Sequence, residues 1–317
     1  MLLIYLITFI SSIFLNTFFQ NYFIKKNKFD EIKSRSAHKG YATRSGGIGI
    51  FTNLFLIILY FYILSNQFFD FSILIPIGIL FTVGLYDDIY QVDFKLKFIF
   101  QLIVAKIMID QGIIIESFNG FLGIYEIPYL LSQLITIFFI VFIINATNFT
   151  DGIDGLAITE TVKCLMIVIF IGSEWSFNGY YFVFLIIILS VLPLYYFNFK
   201  RNYKVFLGDS GSLVLGGIVS IAIIVLLNDS VDSIIINSIP FPILIIFCYL
   251  YPIVDTTYVI IKRIINGHSP FIADKLHLHH ILISRGMSHN KCLLIISGCT
   301  GIIQIVVLLS YITYLSN

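Results

Sequence analysis

The feature that most constrains this chain is a series of ten long apolar segments joined by shorter polar loops. Each approaches the ~20 residues that an α-helix needs to cross the hydrocarbon core of a bilayer. Helices are predicted because an open sheet would leave edge backbone groups unsatisfied in lipid. The segments are Leu2–Ile24, Gly46–Leu64, Phe71–Tyr86, Phe98–Ile115, Ile127–Ile144, Leu156–Gly172, Gly179–Phe197, Ser212–Leu227, Ile239–Ile261 and Cys292–Tyr314.

Composition supports the same fold class. Of the 317 residues, 58% are hydrophobic and only 12% are charged, whereas a soluble domain carries about 25% charged residues. We therefore predict an all-α polytopic membrane protein, with residues 1–317 forming one domain and about ten transmembrane helices. The first segment is interpreted as a retained helix, because no basic residue precedes it and no small-residue cleavage pattern follows.

The distribution of Lys and Arg predicts the orientation. All but one of the 19 Lys and Arg residues lie in loops after odd-numbered segments or in the turns that flank them. Because basic residues stay on the cytoplasmic side, these loops are predicted to face the cytoplasm and both termini the outside. The exception is Lys106, four residues before Asp110, and this pair is interpreted as a structural ion pair on one helical face.

Acidic residues gather at the same predicted face. Asp87 and Asp88 follow the third segment, Asp151 and Asp154 follow the fifth, and Asp209 precedes the eighth. Ordinary solvated turns are the alternative, since Asp, Asn, Gly and Ser all favour turns. Three acidic motifs on one membrane face favour a functional site instead.

Two of these motifs also carry glycines. The paired Asp–Gly steps at 151–155 favour tight turns that aim carboxylates at a common target. In Phe206–Ser212 the glycines permit close backbone approach, and the following helix is expected to present free N–H groups to an anion.

Cationic residues are interleaved with these carboxylates along the same loops. Phosphates need Lys or Arg donors, and paired phosphates are usually bridged by a divalent ion that carboxylates hold. The three clustered histidines could alternatively form a zinc site, but their spacing differs from an i, i+4 pair and no thiolate is near. The interleaved residues are Lys39, Arg44, Lys95, Lys97, Arg263, Lys275, His277, His279 and His280. His38, His268 and His289 are assigned local or interfacial roles.

From Arg35 to about Gly286 the chain resembles the polyprenyl-phosphate N-acetylhexosamine-1-phosphate transferases, which are related to the muramyl-pentapeptide translocase. Four motifs in this order carry the resemblance: Asp87–Asp88, Asn145–Ala157, Phe206–Ser212 and Ser269–His280. The last is similar to the hexosamine branch, and the chain departs from the family in lacking prolines around Tyr41.

The resemblance implies a role for each matching residue. Asp209 and Asn148 would bind Mg²⁺, with Mn²⁺ as a substitute, against the donor diphosphate. Phe206 would stack on uracil, Asp151 and Asp154 would hold the nucleotide, and Asp87 would act as base beside Asp88. The implied catalytic residues are Asp87, Asp88, Lys97, Asp151 and Asp154. The implied substrate-binding residues are Asn145, Phe206, Lys39, Arg44, Lys95, Arg263, His277, His279 and His280.

The expected function is transfer of N-acetylhexosamine 1-phosphate from a UDP-sugar to undecaprenyl phosphate, with release of UMP. This reaction would initiate cell-surface polysaccharide synthesis at the bacterial inner membrane. Membrane lipid is an expected partner, nucleic acid is not, and a homodimer is left open. Alternatives are the muramyl-pentapeptide translocase and, in another class, a secondary transporter. A transporter would bind near the bilayer midplane between repeats, whereas the polar residues here lie at one face and no repeat is evident.

Overall fold

The computed structural model of the protein describes residues 2–30, 41–64, 71–118, 120–172, 179–229, 241–270 and 275–315. It is helical almost throughout, with two short strands. The helices are α1 (Leu2–Lys25), α2 (Gly46–Ile63), α3 (Leu74–Tyr90), α4 (Phe94–Asp110), α5 (Tyr129–Thr150), α6 (Leu156–Gly172), α7 (Gly179–Asn198), α8 (Gly208–Asp229), α9 (Phe241–Cys248), α10 (Leu250–Ile265), α11 (Leu278–Ser284) and α12 (His289–Leu315). The strands are β1 (Ala42–Thr43) and β2 (Lys204–Val205).

Each predicted apolar segment corresponds to helix, and the protein is a multi-pass membrane protein. Within the described ranges, seven helices are long and apolar enough to cross a membrane. The other predicted segments form shorter helices: α4 and α6 have 17 residues each, and the ninth segment divides into α9 and α10. The number of ten spans therefore stays a prediction.

The ninth segment divides at Tyr249, which lies between α9 and α10 with non-helical dihedral angles. Pro252 explains the break, because its ring has no N–H and would clash with the carbonyl of Cys248, four residues earlier, in a continuous helix. The Tyr249 hydroxyl lies 3.0 Å from Oγ1 of Thr147. The break is thereby fixed against α5.

Helix α8 is the centre of the bundle. Residues 210–227 are all buried, and α8 packs mainly against α3 and α5. Glycines allow this close approach: a Cβ on Gly84 would lie 2.5 Å from the carbonyl oxygen of Asp209, and one on Gly47 would lie 2.2 Å from the nitrogen of Gly211. Small residues at such crossings let backbones meet. The first turn of α8 is therefore enclosed by α2 and α3.

Helix α1 turns its polar side inward and its apolar side outward. Thr8, Ser12, Asn16 and Gln20 recur every four residues and are all buried, which places them on one helical face. The Ser12 hydroxyl donates to the Ser190 carbonyl at 2.5 Å. Because lipid is as apolar as Leu, hydrogen bonds of this kind help hold a peripheral helix to the bundle.

The loops before α2 and α8 are joined by the two strands, which sequence patterning did not predict. They pair in parallel, with Ala42 opposite Lys204 and Thr43 opposite Val205. The ladder continues as the Phe206 nitrogen donates to the Thr43 carbonyl at 2.8 Å. This pairing brings the first predicted cytoplasmic loop to the Phe206–Ser212 motif.

Two lysines within helices bear on the orientation argument. Lys106 forms the predicted ion pair with Asp110. Lys163, one of the residues counted above as flanking the loop after the fifth segment, instead lies well inside α6 and pairs with Glu160 at 2.9 Å. Its contribution to the charge asymmetry of the loops is therefore withdrawn.

Candidate functional site

Asp87 and Asp209 converge on one ammonium group. Lys97, in the first turn of α4, donates to Oδ2 of Asp209 at 2.7 Å and to Oδ2 of Asp87 at 3.2 Å. Oδ1 of Asp87 accepts the Val92 backbone N–H at 2.6 Å. The end of α3 and the starts of α4 and α8 thus meet, and the Lys97 ammonium lies between two carboxylates.

Asp88 has a different environment from its neighbour. Its Oδ1 accepts the Asp209 backbone N–H at 2.9 Å, and its Oδ2 accepts the N–H of Ser210 at 2.9 Å and its hydroxyl at 2.7 Å. The expectation that the start of α8 presents free N–H groups to an anionic ligand is therefore wrong for these two groups. The protein supplies its own anion, because the positive end of the α8 dipole favours a carboxylate there.

Arg44 lies beside this cap. Its guanidinium lies 3.7 Å from Oδ1 of Asp88 and 2.7 Å from Oδ1 of Asp30. A small polar cavity of about 200 Å³ adjoins these groups and is lined also by Lys28. Lys39, assigned with Arg44 to the lipid phosphate, lies outside the described residues.

The Asn145–Ala157 motif continues from the last turns of α5 into the α5–α6 loop. Asn148 donates to the hydroxyl of Ser212 at 2.8 Å, and that hydroxyl lies 3.5 Å from the Asp209 carbonyl oxygen. Asn148 therefore lies near the first turn of α8, as predicted. Asn145 is held by Gln101, whose Oε1 accepts its amide at 2.7 Å, so it also belongs to the interface of α4 and α5.

Asp151 caps the C-terminus of α5. Burial raises the pKa of Asp151 well above its usual range, and the negative charges of Asp209 and Asp88 raise it further. The residue thus lies within electrostatic reach of both other acidic motifs. Three separate motifs form a single acidic cluster.

Asp154 is buried and paired. Lys204 forms an ion pair with its Oδ2, and Nδ1 of His289 lies 3.2 Å from the same oxygen. Although burial opposes the charged form, hydrogen bonds from His289 and Lys204 hold the pKa of Asp154 below its ordinary value. His289 had been assigned only a local role, and neither partner could be found from sequence spacing, because each comes from a distant part of the chain.

The three histidines between α10 and α12, His277, His279 and His280, are packed against α10. Nδ1 of His277 lies 2.7 Å from Oδ2 of Asp255, whose Oδ1 accepts the Leu278 N–H at 2.9 Å. His279 is fully buried, and its Nδ1 lies 2.9 Å from the Tyr251 hydroxyl. The His280 ring is 4.3 Å from that of His279. Sequence reasoning missed Tyr251 and assigned Asp255 no partner.

His279 also contacts the acidic motif of the α5–α6 loop. A Cβ on Gly152 would lie 2.2 Å from its Nε2, so only glycine permits this approach. Burial lowers the pKa of His279 to about 3, and His280 adds to the effect. The ring is therefore neutral at physiological pH, and it packs α11 against the residues between Asp151 and Asp154.

The remaining predicted residues differ in exposure. Arg263 is buried and donates to the Pro270 carbonyl at 2.6 Å, with its guanidinium 6.0 Å from the Phe149 ring. Lys95 is exposed, at the first turn of α4. Phe206 is half-buried where the strand ladder ends. Asp274, in the fourth motif, lies outside the described residues.

An apolar groove of about 640 Å³ runs between α4, α5 and α10. Phe98, next to Lys97 in sequence, lines it together with Asn145 and Phe149. The Phe149 ring lies 5.5 Å from that of His277. The groove therefore extends from the apolar faces of these helices to the neighbourhood of His277.

Comparison with known proteins identifies the family. Residues 70–227 match the family model described as Glycosyl transferase family 4. The chain is 32% identical over 281 residues to a probable undecaprenyl-phosphate N-acetylglucosaminyl 1-phosphate transferase of Bacillus subtilis (strain 168), covering 86% of this chain and 74% of that protein. The chain belongs to glycosyl transferase family 4. The resemblance to the polyprenyl-phosphate N-acetylhexosamine-1-phosphate transferases is thereby confirmed.

Two further relatives of this glycosyl transferase family 4 protein have related names. The undecaprenyl-phosphate alpha-N-acetylglucosaminyl 1-phosphate transferase of Yersinia pestis is 26% identical over 294 residues, or 89% of this chain and 77% of that protein. The decaprenyl-phosphate N-acetylglucosaminephosphotransferase of Mycolicibacterium smegmatis is 31% identical over 250 residues, or 73% of this chain. The match spans 61% of that longer relative.

Proposed function

We propose that this protein transfers N-acetylglucosamine 1-phosphate from UDP-N-acetylglucosamine to undecaprenyl phosphate and releases UMP. The observation that carries the proposal is the convergence of Asp87, Lys97 and Asp209, from two acidic motifs of the family, within one polar site. The printed names of the relatives supply the sugar and the polyprenyl acceptor. The same polar site disfavours a transporter, which would bind near the bilayer midplane.

The acceptor enters from the membrane in this proposal. Its isoprenoid chain occupies the groove between α4, α5 and α10, whose lining is almost entirely apolar. The lining of the groove includes Asn145 and also Phe98, which is next to Lys97 in sequence. The lipid phosphate would therefore reach the ammonium that already lies 2.7 Å from Asp209.

The chemistry is a direct displacement at phosphorus. An oxygen of the lipid phosphate attacks the phosphorus that bears the sugar, and the bond from that phosphorus to the bridging oxygen breaks, so UMP leaves with the bonding electrons. Lys97 offsets the repulsion between the lipid phosphate and the donor diphosphate. When the lipid phosphate carries a proton, Asp87 accepts it. Catalysis is then mostly positioning and electrostatic stabilisation.

The donor set fits a divalent cation. Asp87 and Asp209 already converge on a cationic group, Lys97, and the Asn148 side chain lies near the same turn, with its amide nitrogen on the Ser212 hydroxyl. Among the described residues no group of three His, Cys, Asp or Glu side chains gathers to hold an ion alone. Mg²⁺ is usually held by one or two carboxylates together with substrate phosphates. Asp209 and Asn148 would hold Mg²⁺, or Mn²⁺ in its place, and the ion would neutralise charge on the diphosphate.

A transfer assay in detergent tests the function. Purified protein with undecaprenyl phosphate and radiolabelled UDP-N-acetylglucosamine is expected to form labelled lipid and to release UMP stoichiometrically. With lipid product present, labelled UMP should return to UDP-sugar. A panel with UDP-N-acetylgalactosamine and UDP-muramyl-pentapeptide sets the specificity. Transfer from the pentapeptide alone, or from none of these donors, would contradict the proposal.

A further inference from the structure

Asp154 is held by one of its two carboxylate oxygens. Both Lys204 and His289 contact Oδ2, whereas Oδ1 receives no hydrogen bond from the residues that the structure describes. The side chain is 5% exposed. A buried carboxylate fixed through one oxygen keeps the other as an oriented acceptor, because charge-assisted hydrogen bonds are short and directional.

The backbone of the loop around Asp154 has contacts besides His289, whose Nδ1 also lies 3.5 Å from the Asp154 backbone nitrogen. On one side Gly152 lies against the His279 ring, and on the other a Cβ on Gly155 would lie 2.8 Å from the Phe199 ring. These contacts come from α11 and from the end of α7, not from α12. His289 is therefore one of several contacts on the loop backbone, whereas among the described residues it is one of two, with Lys204, that hold the Asp154 carboxylate.

Lys204, which contacts Asp154, lies two residues before Phe206, to which the family resemblance assigns stacking on uracil. Residues two apart in an extended strand lie on the same face, and the ladder through Lys204 and Phe206 is extended. Val205 between them is fully buried on the opposite face. The oriented carboxylate of Asp154 therefore lies on the side of the strand that also carries Phe206.

Among the described residues of α12, His289 contacts Asp154, whereas Cys292 and Ile296 belong to a buried apolar cluster with Ile153 and Leu156. The window His289–Leu309 is 17% buried, and His289 begins the helix. Deeper in the bundle, a separate polar cluster ties α12 to α6: Ser297 donates to Glu160 at 2.8 Å and Lys163 donates to Thr300 at 2.6 Å. This cluster can hold α12 in place when His289 is changed.

We propose that His289 is a positioning residue for the donor site, which with Lys204 holds Oδ2 of Asp154 and leaves Oδ1 to accept a hydrogen bond from the bound UDP-sugar. The proposal rests on the function proposed above. His289 touches no reacting atom in this scheme. Its loss should weaken donor and UMP binding together and leave the chemical step unchanged, which is the behaviour of an interaction equally strong in ground and transition states.

The test compares three variants in the full-length protein. His289→Ala should raise the KM for UDP-N-acetylglucosamine and the inhibition constant of UMP by about tenfold each, as for loss of a hydrogen bond to a charged group, with kcat within about twofold. His289→Asn should restore much of the affinity, because its amide N–H lies close to the position of Nδ1. Ser297→Ala removes a polar contact of the same helix away from the site. It should lower the thermal midpoint without changing KM.

Two results would overturn the inference. If His289→Ala has the same KM and UMP inhibition constant as Ser297→Ala, the contact between His289 and Asp154 is merely structural. A fall in kcat alone would place His289 in the chemical step. A wild-type protein without transfer activity would overturn the proposed function and this inference with it. If the wild type is active but the His289 variants and Ser297→Ala have the same KM and UMP inhibition, the inference alone is overturned.

Discussion

The carboxylate of Asp88 accepts both the backbone N–H of Ser210, at 2.9 Å, and its hydroxyl, at 2.7 Å. The end of α3 therefore caps the start of α8, the most buried helix of the bundle. Adjacent aspartates thus have separate tasks: Asp88 fixes the backbone that carries Asp209, whereas Asp87 turns to Lys97. The end of α3 therefore carries one residue that fixes the backbone, Asp88, and one residue of the polar site, Asp87.

The first prediction separates these two tasks. Asp88→Asn should lower stability by about 1–3 kcal/mol, because its amide faces buried donors with only one acceptor oxygen. Asp87→Asn is the matched control: it should leave the thermal midpoint nearly unchanged, reduce turnover far more than UDP-sugar binding, and flatten the acidic limb of the pH–rate profile. Both are measured by thermal unfolding and kinetics in detergent. Equal stability of the two variants would contradict the division.

The second prediction concerns the metal. Asp209→Asn should remove most transfer activity while the protein still folds and inserts, because a ligand of a metal–diphosphate site contributes several kcal/mol to the transition state. Lys97 also loses its shorter ion pair. The measurement is activity against Mg²⁺ concentration, with Ser220→Ala as a control that keeps the carboxylate, because the Ser220 hydroxyl donates to the Gly217 carbonyl farther along α8. Full activity with unchanged Mg²⁺ dependence would refute the assignment.

The third prediction concerns orientation. In a cysteine-free background, a cysteine at Asn228, near the end of α8, should react with an impermeant thiol reagent from outside the cell. A cysteine at Arg285, just after α11, should be protected until the membrane is opened. These expectations follow from the bias of Lys and Arg toward odd-numbered loops. The reverse labelling pattern would place the acidic cluster outside the cytoplasm.

The fourth prediction is a stability effect of His279 on pH. Its pKa falls from 6.5 to about 3 on folding, so the unfolded chain binds a proton that the folded protein excludes. The stabilisation is complete above pH 6.5 and declines as pH falls from 6.5 toward 3, by up to about 1.4 kcal/mol per pH unit. His279→Gln should flatten this part of the curve of unfolding free energy against pH. His268→Gln, at an exposed position, should leave it unchanged.

The helices were predictable because their cause is local. Apolar length and the need to satisfy backbone groups in lipid act on each segment separately. Motif order likewise brought Asp87, Asp151 and Asp209 to one predicted face. The partners of these residues were not predictable, since Lys204 reaches Asp154 through a two-residue parallel ladder, and Asp88 caps a helix more than a hundred residues away. Such contacts depend on tertiary packing, which no local pattern encodes.

The last prediction concerns how Arg263 in α10 and His279 in α11 contribute to recognition of the sugar. The family resemblance assigns Arg263 and His279 alike to substrate binding. The structure separates them, because His279 lies against Gly152 in the motif that also carries Asp151 and Asp154. Arg263 instead orders the loop through the Pro270 carbonyl and lies beside Phe149, which lines the apolar groove.

Arg263→Ala should therefore reduce transfer at least tenfold while UMP inhibition stays intact. Without Arg263 the loop would no longer hold its hydrogen-bonding groups against the ring hydroxyls and acetamido group of the sugar, and such contacts discriminate strongly between donors. His279→Ala should weaken both transfer and UMP inhibition, because it leaves a cavity beside the loop that holds Asp154. Arg263→Lys keeps the charge but not the planar fork, so it should recover little. Loss of UMP inhibition in Arg263→Ala as well would mean that this loop maintains the whole donor site, and would contradict a separate role in reading the sugar.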